Sequence, residues 1–382
     1  MIYWDNAATT SPKPTTVRIS ACKANQLYNA NPGRSGHRLS LSAAEQMYEC
    51  RLKTAAFFGL SDPSGVVFTA NCTASLNTVI QGILGKGGGA VTSDLEHNAV
   101  MRPLAALSSW QPRYQTVAWS ADEDELVERF DRAIRPDTRL LICTHASNVF
   151  GVTFPIRKLG ELAHSRGLLF CVDAAQSAGV LPIDMEKDHV NYLCVAPHKG
   201  LYAPMGTGLL LCRETETLPP LMRGGTGSHS LSLKQPAELP DRLESGTPNL
   251  SGVCGVRAGI EFVESRGQNA IYEHELRCLQ YVYDRLAACP GVCLYTSRPR
   301  AGENAPVLSV NVKGLASEET AAMLDEQGIA VRAGLHCAPA AHRRFETLEQ
   351  GTVRLAPSAF STEKEAEYIS EVFLKIAKKA LH

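Results

Sequence analysis

Short apolar runs alternate with helical spacing through the middle of the chain. Residues 65–70, 90–92, 114–119, 140–144, 168–173, 192–196 and 208–212 are apolar over most of their length and bounded by turn-forming residues. That is the pattern of strands buried on both faces. Between them, residues 73–84, 122–134 and 156–166 place apolar side chains three and four apart, which predicts helices with one face on a core. The alternation predicts an α/β domain, a mainly parallel sheet flanked by helices. From about Asn249 the texture changes. A helical stretch at 253–288, broken near Gly267, leads to strands at 292–296 and 307–312. A helix at 318–327, strands at 329–332 and 352–355 and a last helix from Thr362 follow. This order predicts a smaller C-terminal α+β domain. The expected division is a large domain over 15–255 and a small one over 256–382, joined by the N-terminal segment 1–14. Residues 220–248, rich in Gly, Ser and Pro, read as one long functional loop.

Composition narrows the class. The 382 residues are 44% hydrophobic and 20% charged, enough to bury a sizeable core. Lys plus Arg number 38 against 39 for Asp plus Glu, a net charge of -1, which argues against a dedicated nucleic-acid binder. The 12 cysteines are too few for a small disulfide scaffold. The opening MIYWDN has no basic and apolar leader pattern, and no long uncharged apolar run suggests a membrane span. A soluble, cytoplasmic enzyme is the expectation.

Ligands of open α/β sheets bind beyond the carboxyl ends of the strands. Polar groups fall at several such ends: His97, Asn148, Asp173 with Gln176, and His198-Lys199. Lys199 sits between apolar strands in APHKGLYAPMG, where partial desolvation would lower its pKa and favour Schiff-base chemistry; a plain turn lysine is the competing reading. Asp173 ends a strand without a basic neighbour in sequence and, if buried, needs a cationic partner. A protonated pyridine nitrogen would serve, as in pyridoxal phosphate enzymes; the alternative is a cap for the segment after Ala174. The turn 70–75 (ANCTAS) joins strand to helix where backbone N–H groups hold phosphates. No Walker A pattern occurs, and Gly225-Thr-Gly227 lacks the third glycine of a dinucleotide fingerprint.

Cys143, Cys171, Cys194 and Cys212 lie inside apolar strands and read as inert core residues. Cys337, in RAGLHCAP beside Arg332 and His336, is the reactive candidate, because neighbouring positive charge activates a thiol. A zinc site using His336, Cys337 and His342 is disfavoured, because the nearest other cysteine pair, Cys289 and Cys293, has unusual spacing.

Together these residues resemble the class V aminotransferase family of fold-type I pyridoxal phosphate enzymes, and within it the cysteine desulfurases. The resemblance runs in order along nearly the whole chain: YWDNAATT at 3–10, NPGRSGH at 31–37, Glu96-His97, Ser147-Asn148, DAAQ at 173–176, His198-Lys199, ESGTPN at 244–249, RAGLHC at 332–337 and Arg354. It implies that Lys199 carries pyridoxal 5'-phosphate as a Schiff base and later moves the Cα proton. Asp173 would pair with the ring nitrogen and His97 would stack on the ring. Asn148 and Gln176 would lie by the ring oxygen. Cys72 falls within the implied cofactor site, and Thr73, His198 and Thr247 from a second subunit would hold the phosphate. Arg354, with Asn148, would bind the substrate carboxylate, and Cys337 would take the substrate's sulfur. The implied protein is a homodimeric cysteine desulfurase that converts cysteine to alanine and serves sulfur mobilisation such as iron–sulfur cluster assembly. A sulfur-acceptor protein is an implied partner. Selenocysteine lyase or another class V lyase is the alternative, and a non-catalytic relative is a third reading, weakened by the presence of Lys199 and Cys337.

The chain departs from the family pattern at Ala196, where a phosphate-binding hydroxyl is usual, and at Ala356 and Ser361 after Arg354. The missing hydroxyl leaves Ser75 or Thr226 to replace it. The short RAGLHCA form resembles the branch with a short catalytic loop.

Overall fold

The computed structural model describes residues 1–33, 35–108, 113–213 and 218–380; Arg34 of the 31–37 motif lies outside them. The chain opens with β1 (Ile2–Tyr3), α1 (Thr15–Leu27) and α2 (Arg38–Phe57). The central α/β part runs β2 (Val66–Thr69), α3 (Cys72–Leu84), β3 (Gly89–Ser93), α4 (Asn98–Ala106), β4 (Tyr114–Val117) and α5 (Glu123–Ala133). It continues with β5 (Thr138–Thr144), α6 (Ile156–Ser165), β6 (Leu169–Asp173), β7 (Tyr192–Val195) and β8 (Gly208–Cys212). After the long loop come α7 (Leu250–Arg266), α8 (Gln268–Ala287), β9 (Val292–Leu294), β10 (Leu308–Val312) and α9 (Ser317–Asp325). The chain then forms β11 (Ile329–Ala330), α10 (Pro339–Arg344), β12 (Val353–Leu355) and α11 (Glu363–Ala380).

Seven strands form the central sheet in the order β2-β8-β7-β6-β5-β3-β4. Neighbours pair parallel except where β8 runs antiparallel to both β2 and β7. The inner strands β3, β6 and β7 are almost wholly buried, and β5 is buried apart from Arg139. Helices cover both faces, so no alternation of polar positions survives in these strands. Apolar clusters fill both sides of the sheet, one holding Phe130, Phe150 and Phe170, the other Leu76, Ile80 and Ile142. A second sheet, β12-β10-β9, is antiparallel and backs a core that includes Trp4, Leu279, Val310 and Phe373. Val256, Ile260 and Val263 of α7 pack in the large core, whereas Cys278 and Leu279 of α8 pack in the small one. Gly267, at φ 81°, ends α7 and opens α8, because a residue without Cβ adopts that left-handed backbone at little cost.

Several features depart from the sequence reading, among them the unforeseen helices α4 and α10. The expected strand at 329–332 is shorter, and it pairs parallel with β1, Ile2 opposite Ile329. Helices α1 and α2 lacked a recognisable pattern. In α2 the buried positions include Ser40, Ala43, Gln46, Arg51 and Thr54, while Leu39, Leu41, Tyr48 and Leu52 are exposed. Met47, Cys50 and Ala55 are buried in the main core beside these polar groups, so the buried face is mixed and blurs the usual amphipathic pattern. Among the described residues, no helix is long and apolar enough to cross a membrane.

Candidate active site

The sheet order reverses between β3 and β5, since β4 lies on the far side of β3 from β5. Crevices at such switch points, beyond the carboxyl strand ends, are where open α/β sheets hold ligands. Here a cavity of about 120 Å³ opens between the ends of β2, β3, β5, β6 and β7. Thr73, His97, Asn148, Asp173, Gln176 and Lys199 all face it, with Cys72, Ala196 and His198 beside them. The strand-end candidates therefore converge.

Lys199 is half-buried in this cavity rather than on a surface turn. Burial lowers its pKa, Arg354 lowers it further, and Asp173 opposes both. The main chain beside it is clamped by the N-terminal segment. The His198 carbonyl accepts from the backbone N–H and hydroxyl of Thr10, each at 3.1 Å, from the Thr9 hydroxyl at 3.1 Å, and from Lys13 Nζ at 2.6 Å. Lys13 also donates to the Thr10 hydroxyl at 2.7 Å, and burial lowers its pKa to about 8. The His198 imidazole is held neutral, its pKa lowered to about 4 by burial and by Lys199 and Lys13, and its buried Nδ1 has no partner among the described residues.

Asp173 is 3% exposed. Its Oδ1 accepts from the Ala175 N–H at 2.9 Å, so it does cap the following turn, and from the Cys72 thiol at 3.7 Å. Burial, reinforced by Asp173, pushes the Cys72 thiol well above the usual range, which keeps it a neutral donor. No cation lies within ion-pair distance of Asp173 among the described residues. Gln176 Nε2 donates to the Ala7 carbonyl at 3.1 Å. Asn71 caps α3 through a bond from the Ala74 N–H at 2.9 Å, which places Cys72 and Thr73 in its first turn. Ser75, a suggested replacement for the hydroxyl missing at Ala196, instead donates to the Leu209 carbonyl at 3.0 Å. Thr226 and Thr247 line a different cavity, of about 550 Å³.

His97 caps α4, its Nδ1 accepting from the Ala99 N–H at 3.0 Å. That bond requires an unprotonated Nδ1 and leaves the proton on Nε2. Burial also lowers its pKa. One residue on, the Asn98 N–H donates to the Cys337 carbonyl at 2.7 Å. Asn148 Nδ2 donates to the His336 carbonyl at 2.8 Å. Cys337 is exposed, and both it and His336 have left-handed backbones, φ 58° and 48°. Consecutive non-glycine residues in that region are strained and cluster at functional sites. The expectation that His336 lends positive charge to Cys337 is corrected here. The residue is 3% exposed, its Nε2–H donates to the Thr352 carbonyl at 2.9 Å, and burial lowers its pKa to about 2, so the ring is neutral.

Arg354 lies behind Asn148, whose main-chain carbonyl accepts from Nη1 at 3.0 Å. Of the two departures after Arg354, Ser361 has a structural use, its Oγ accepting from the Ser358 N–H at 3.0 Å; Ala356 contributes only its main-chain carbonyl, which accepts from Asn6 Nδ2 at 2.9 Å. Cys143, Cys171, Cys194 and Cys212 are buried; burial pushes Cys143 and Cys194 well above the usual thiol range and Cys212 to about 12. His342 Nδ1 meets the Thr347 hydroxyl at 2.7 Å, and no group of three or more His, Cys, Asp or Glu among the described residues is placed to hold a metal.

Sequence reasoning left Asp5 and Lys13 without a role and read Arg332 only as charge beside Cys337. Asp5 pairs with Arg354 at 2.8 Å. Arg332, whose charge bears on Lys199, His97, His336 and Arg354, has no carboxylate partner among the described residues. Lys13 anchors the Lys199 turn. Asp5 and Arg332 lie within motifs quoted above, but their partners are distant in sequence and no local pattern signals them.

The α/β fold is that of the fold-type I pyridoxal phosphate enzymes. It superposes on the apo structure of a cysteine desulfurase from Thermococcus onnurineus NA1 with a TM-score of 0.91 and 33% sequence identity, covering 99% of this chain and 95% of that one. A probable cysteine desulfurase of Pyrococcus abyssi is 33% identical over 388 residues, 99% of this chain and 94% of that protein. One of Synechocystis sp. is 30% identical over 378 residues, 96% of this chain and 89% of that protein. The pattern of the family described as aminotransferase class-V matches residues 2–369. With the match spanning both the strand-end cavity and the Cys337 turn, the chain is a member of the class-V aminotransferase family.

Proposed function

We propose that this enzyme is a pyridoxal 5'-phosphate-dependent cysteine desulfurase, converting L-cysteine to L-alanine with the sulfur left as a persulfide on Cys337. One observation carries the reading: Asn148 faces the Lys199 cavity while its amide holds the turn that bears Cys337. That bond ties the turn bearing the thiol to the cavity of the lysine, which supports a shared site.

The residues present fit the cofactor. The buried Asp173 lacks a cationic partner, and the buried Nδ1 of His198 lacks an acceptor; a ring nitrogen and a phosphate would supply them. Lys199, Asp173, His97, Gln176, Thr73, His198 and Thr247 of the partner subunit would hold it. When bound, the ring supplies an electron sink for charge at the amino-acid Cα.

Burial lowers the pKa of Lys199, which suits it to take and return a proton at Cα. His97 presents Nε2–H from the α4 cap. Arg354 and Asn148 orient the substrate carboxylate. The sulfur of Cys337 attacks the substrate's γ-sulfur. A sulfur–sulfur bond forms and the Cβ–S bond breaks. The electron pair stays with Cβ, which takes up a proton and becomes the methyl group of alanine. The persulfide then awaits an acceptor, and the exposure of Cys337 leaves it open to a sulfur-acceptor protein.

A homodimer is part of the proposal. Thr247 lies outside the Lys199 cavity of its own chain, and Leu41, Tyr48, Met222, Leu231 and Leu233 are exposed on α2 and the long loop. Large exposed apolar groups mark surfaces covered by a partner. The unpaired cysteines suit a reducing compartment such as the cytoplasm.

The test compares alanine release from cysteine and selenocysteine in wild type and Cys337→Ser. The variant should keep the cofactor's visible absorbance and lose cysteine turnover. Undiminished cysteine turnover would overturn the persulfide reading and favour a lyase.

A further inference from the structure

Arg354 is 1% exposed, and its three nitrogens are used unequally. Nη1 donates to the Asn148 carbonyl at 3.0 Å and Nη2 to Asp5 Oδ1 at 2.8 Å. Nε, also buried, has no partner among the described residues. A guanidinium takes a carboxylate best through paired, parallel N–H bonds. This chain makes that fork elsewhere: Arg166 grips Asp131 through Nε and Nη2 at 2.8 and 2.7 Å, and Arg298 grips Asp284 in the same way at 2.7 and 2.9 Å. At Arg354 the same edge is half filled, with one oxygen on Nη2 and Nε open.

Asp5 is also the partner able to leave. Its side chain is 20% exposed against 2% for Arg354. Its backbone is pinned independently, by a parallel bridge to Ala356 and by the Asn6 bond to the Ala356 carbonyl. The side chain can turn toward water while the N-terminal segment stays in place.

We propose that Asp5 is a specificity-determining counter-ion, holding Arg354 by one oxygen until a substrate carboxylate displaces it and closes the fork on both Nε and Nη2. This deepens the reading of Arg354 as the carboxylate site and rests on it. In the resting state Asp5 offsets a buried charge that would otherwise be uncompensated. On binding, one carboxylate replaces another, so affinity is only the difference between the two. The same exchange run backward helps release alanine. A ligand with a single anionic oxygen cannot fill the edge and gains little over Asp5.

The test uses the holoenzyme. Asp5→Asn keeps an oxygen for Nη2 but removes the competing charge. It should lower the KM for cysteine and the inhibition constant of propionate, a non-reacting carboxylate, each by about tenfold, the equivalent of about 1.4 kcal/mol. Asp5→Glu should restore wild-type values, and thermal unfolding of each variant checks that the fold is intact. Unchanged or weaker propionate inhibition in a folded Asp5→Asn would overturn the proposal alone. Arg354→Gln separates the two readings: it should weaken both constants, and if it moves neither, the carboxylate-site reading falls and the counter-ion proposal with it.

Discussion

The side-chain amide of Asn148 donates to the main-chain carbonyl of His336 at 2.8 Å, across 188 residues of sequence. Asn148 follows β5 at the switch point, and His336 precedes the exposed Cys337. The bond therefore sets the Cys337 turn relative to the cavity in which Lys199 lies. The Asn98 N–H to Cys337 carbonyl bond at 2.7 Å is the second tether.

Replacing Asn148 by Ala removes one tether and leaves the other. A net hydrogen bond contributes roughly 1 kcal/mol, about a fivefold effect on a positioned step. Persulfide formation on Cys337, followed by thiol-selective labelling and mass measurement after exposure to cysteine, should slow by at least that factor.

Lys199→Ala should abolish the visible absorbance of bound cofactor and all alanine release. Asp173→Asn should weaken cofactor retention during dialysis without removing the absorbance at saturating cofactor. Retained colour and turnover in Lys199→Ala would show that another amine carries the chemistry, Lys13 being the first to examine, since burial lowers its pKa to about 8.

Glu275 is 4% exposed on α8 and accepts from the Tyr202 hydroxyl at 2.9 Å. Burial raises its pKa from 4.5 to about 8. Below the unfolded value both states hold the proton and the group has no effect. Between 4.5 and about 8 the unfolded chain loses the proton first, so stability falls as pH rises. The full penalty is present above about 8. Glu275→Gln should therefore lose less Tm than wild type between pH 6 and pH 9 in thermal melts. Glu96, also raised to about 8 by burial, keeps the variant's slope from vanishing.

Gly351 has φ 60°, and a Cβ there would lie 2.8 Å from both the Gly334 Cα and the Ser317 hydroxyl. Gly334 belongs to the turn that carries Cys337. Gly351→Ala should lower stability by about 1–3 kcal/mol and slow alanine release, because relieving the clash moves that turn. Thermal melts and turnover measured on one preparation check both effects.

Much of the large lobe was legible because strands covered on both faces are apolar whatever their neighbours, and helices between them keep their three-to-four spacing. Helices α1 and α2 were not legible. Burial of Ser40, Gln46 and Arg51 beside Met47 and Cys50, with exposure of Leu41 and Tyr48, blurs the cue that marks a helix, as happens when a further surface is to be covered. Within the site, Lys199, Asp173, His97 and Asn148 could be found because each follows a readable strand. The neutral state of His336 could not, because its burial comes from the β12 side of the small lobe.

The sequence by itself determined which residues stand at strand ends and in what order, since strand and turn propensities act over a few neighbours. Only the tertiary structure decided who meets whom. The Asp5–Arg354 pair spans 349 residues, and the Asn148–His336 bond joins the large lobe to the small one. Such contacts exist only in the assembled fold, in which the N-terminal segment lays β1 against β11, because distance along a chain carries no information about distance in a packed core.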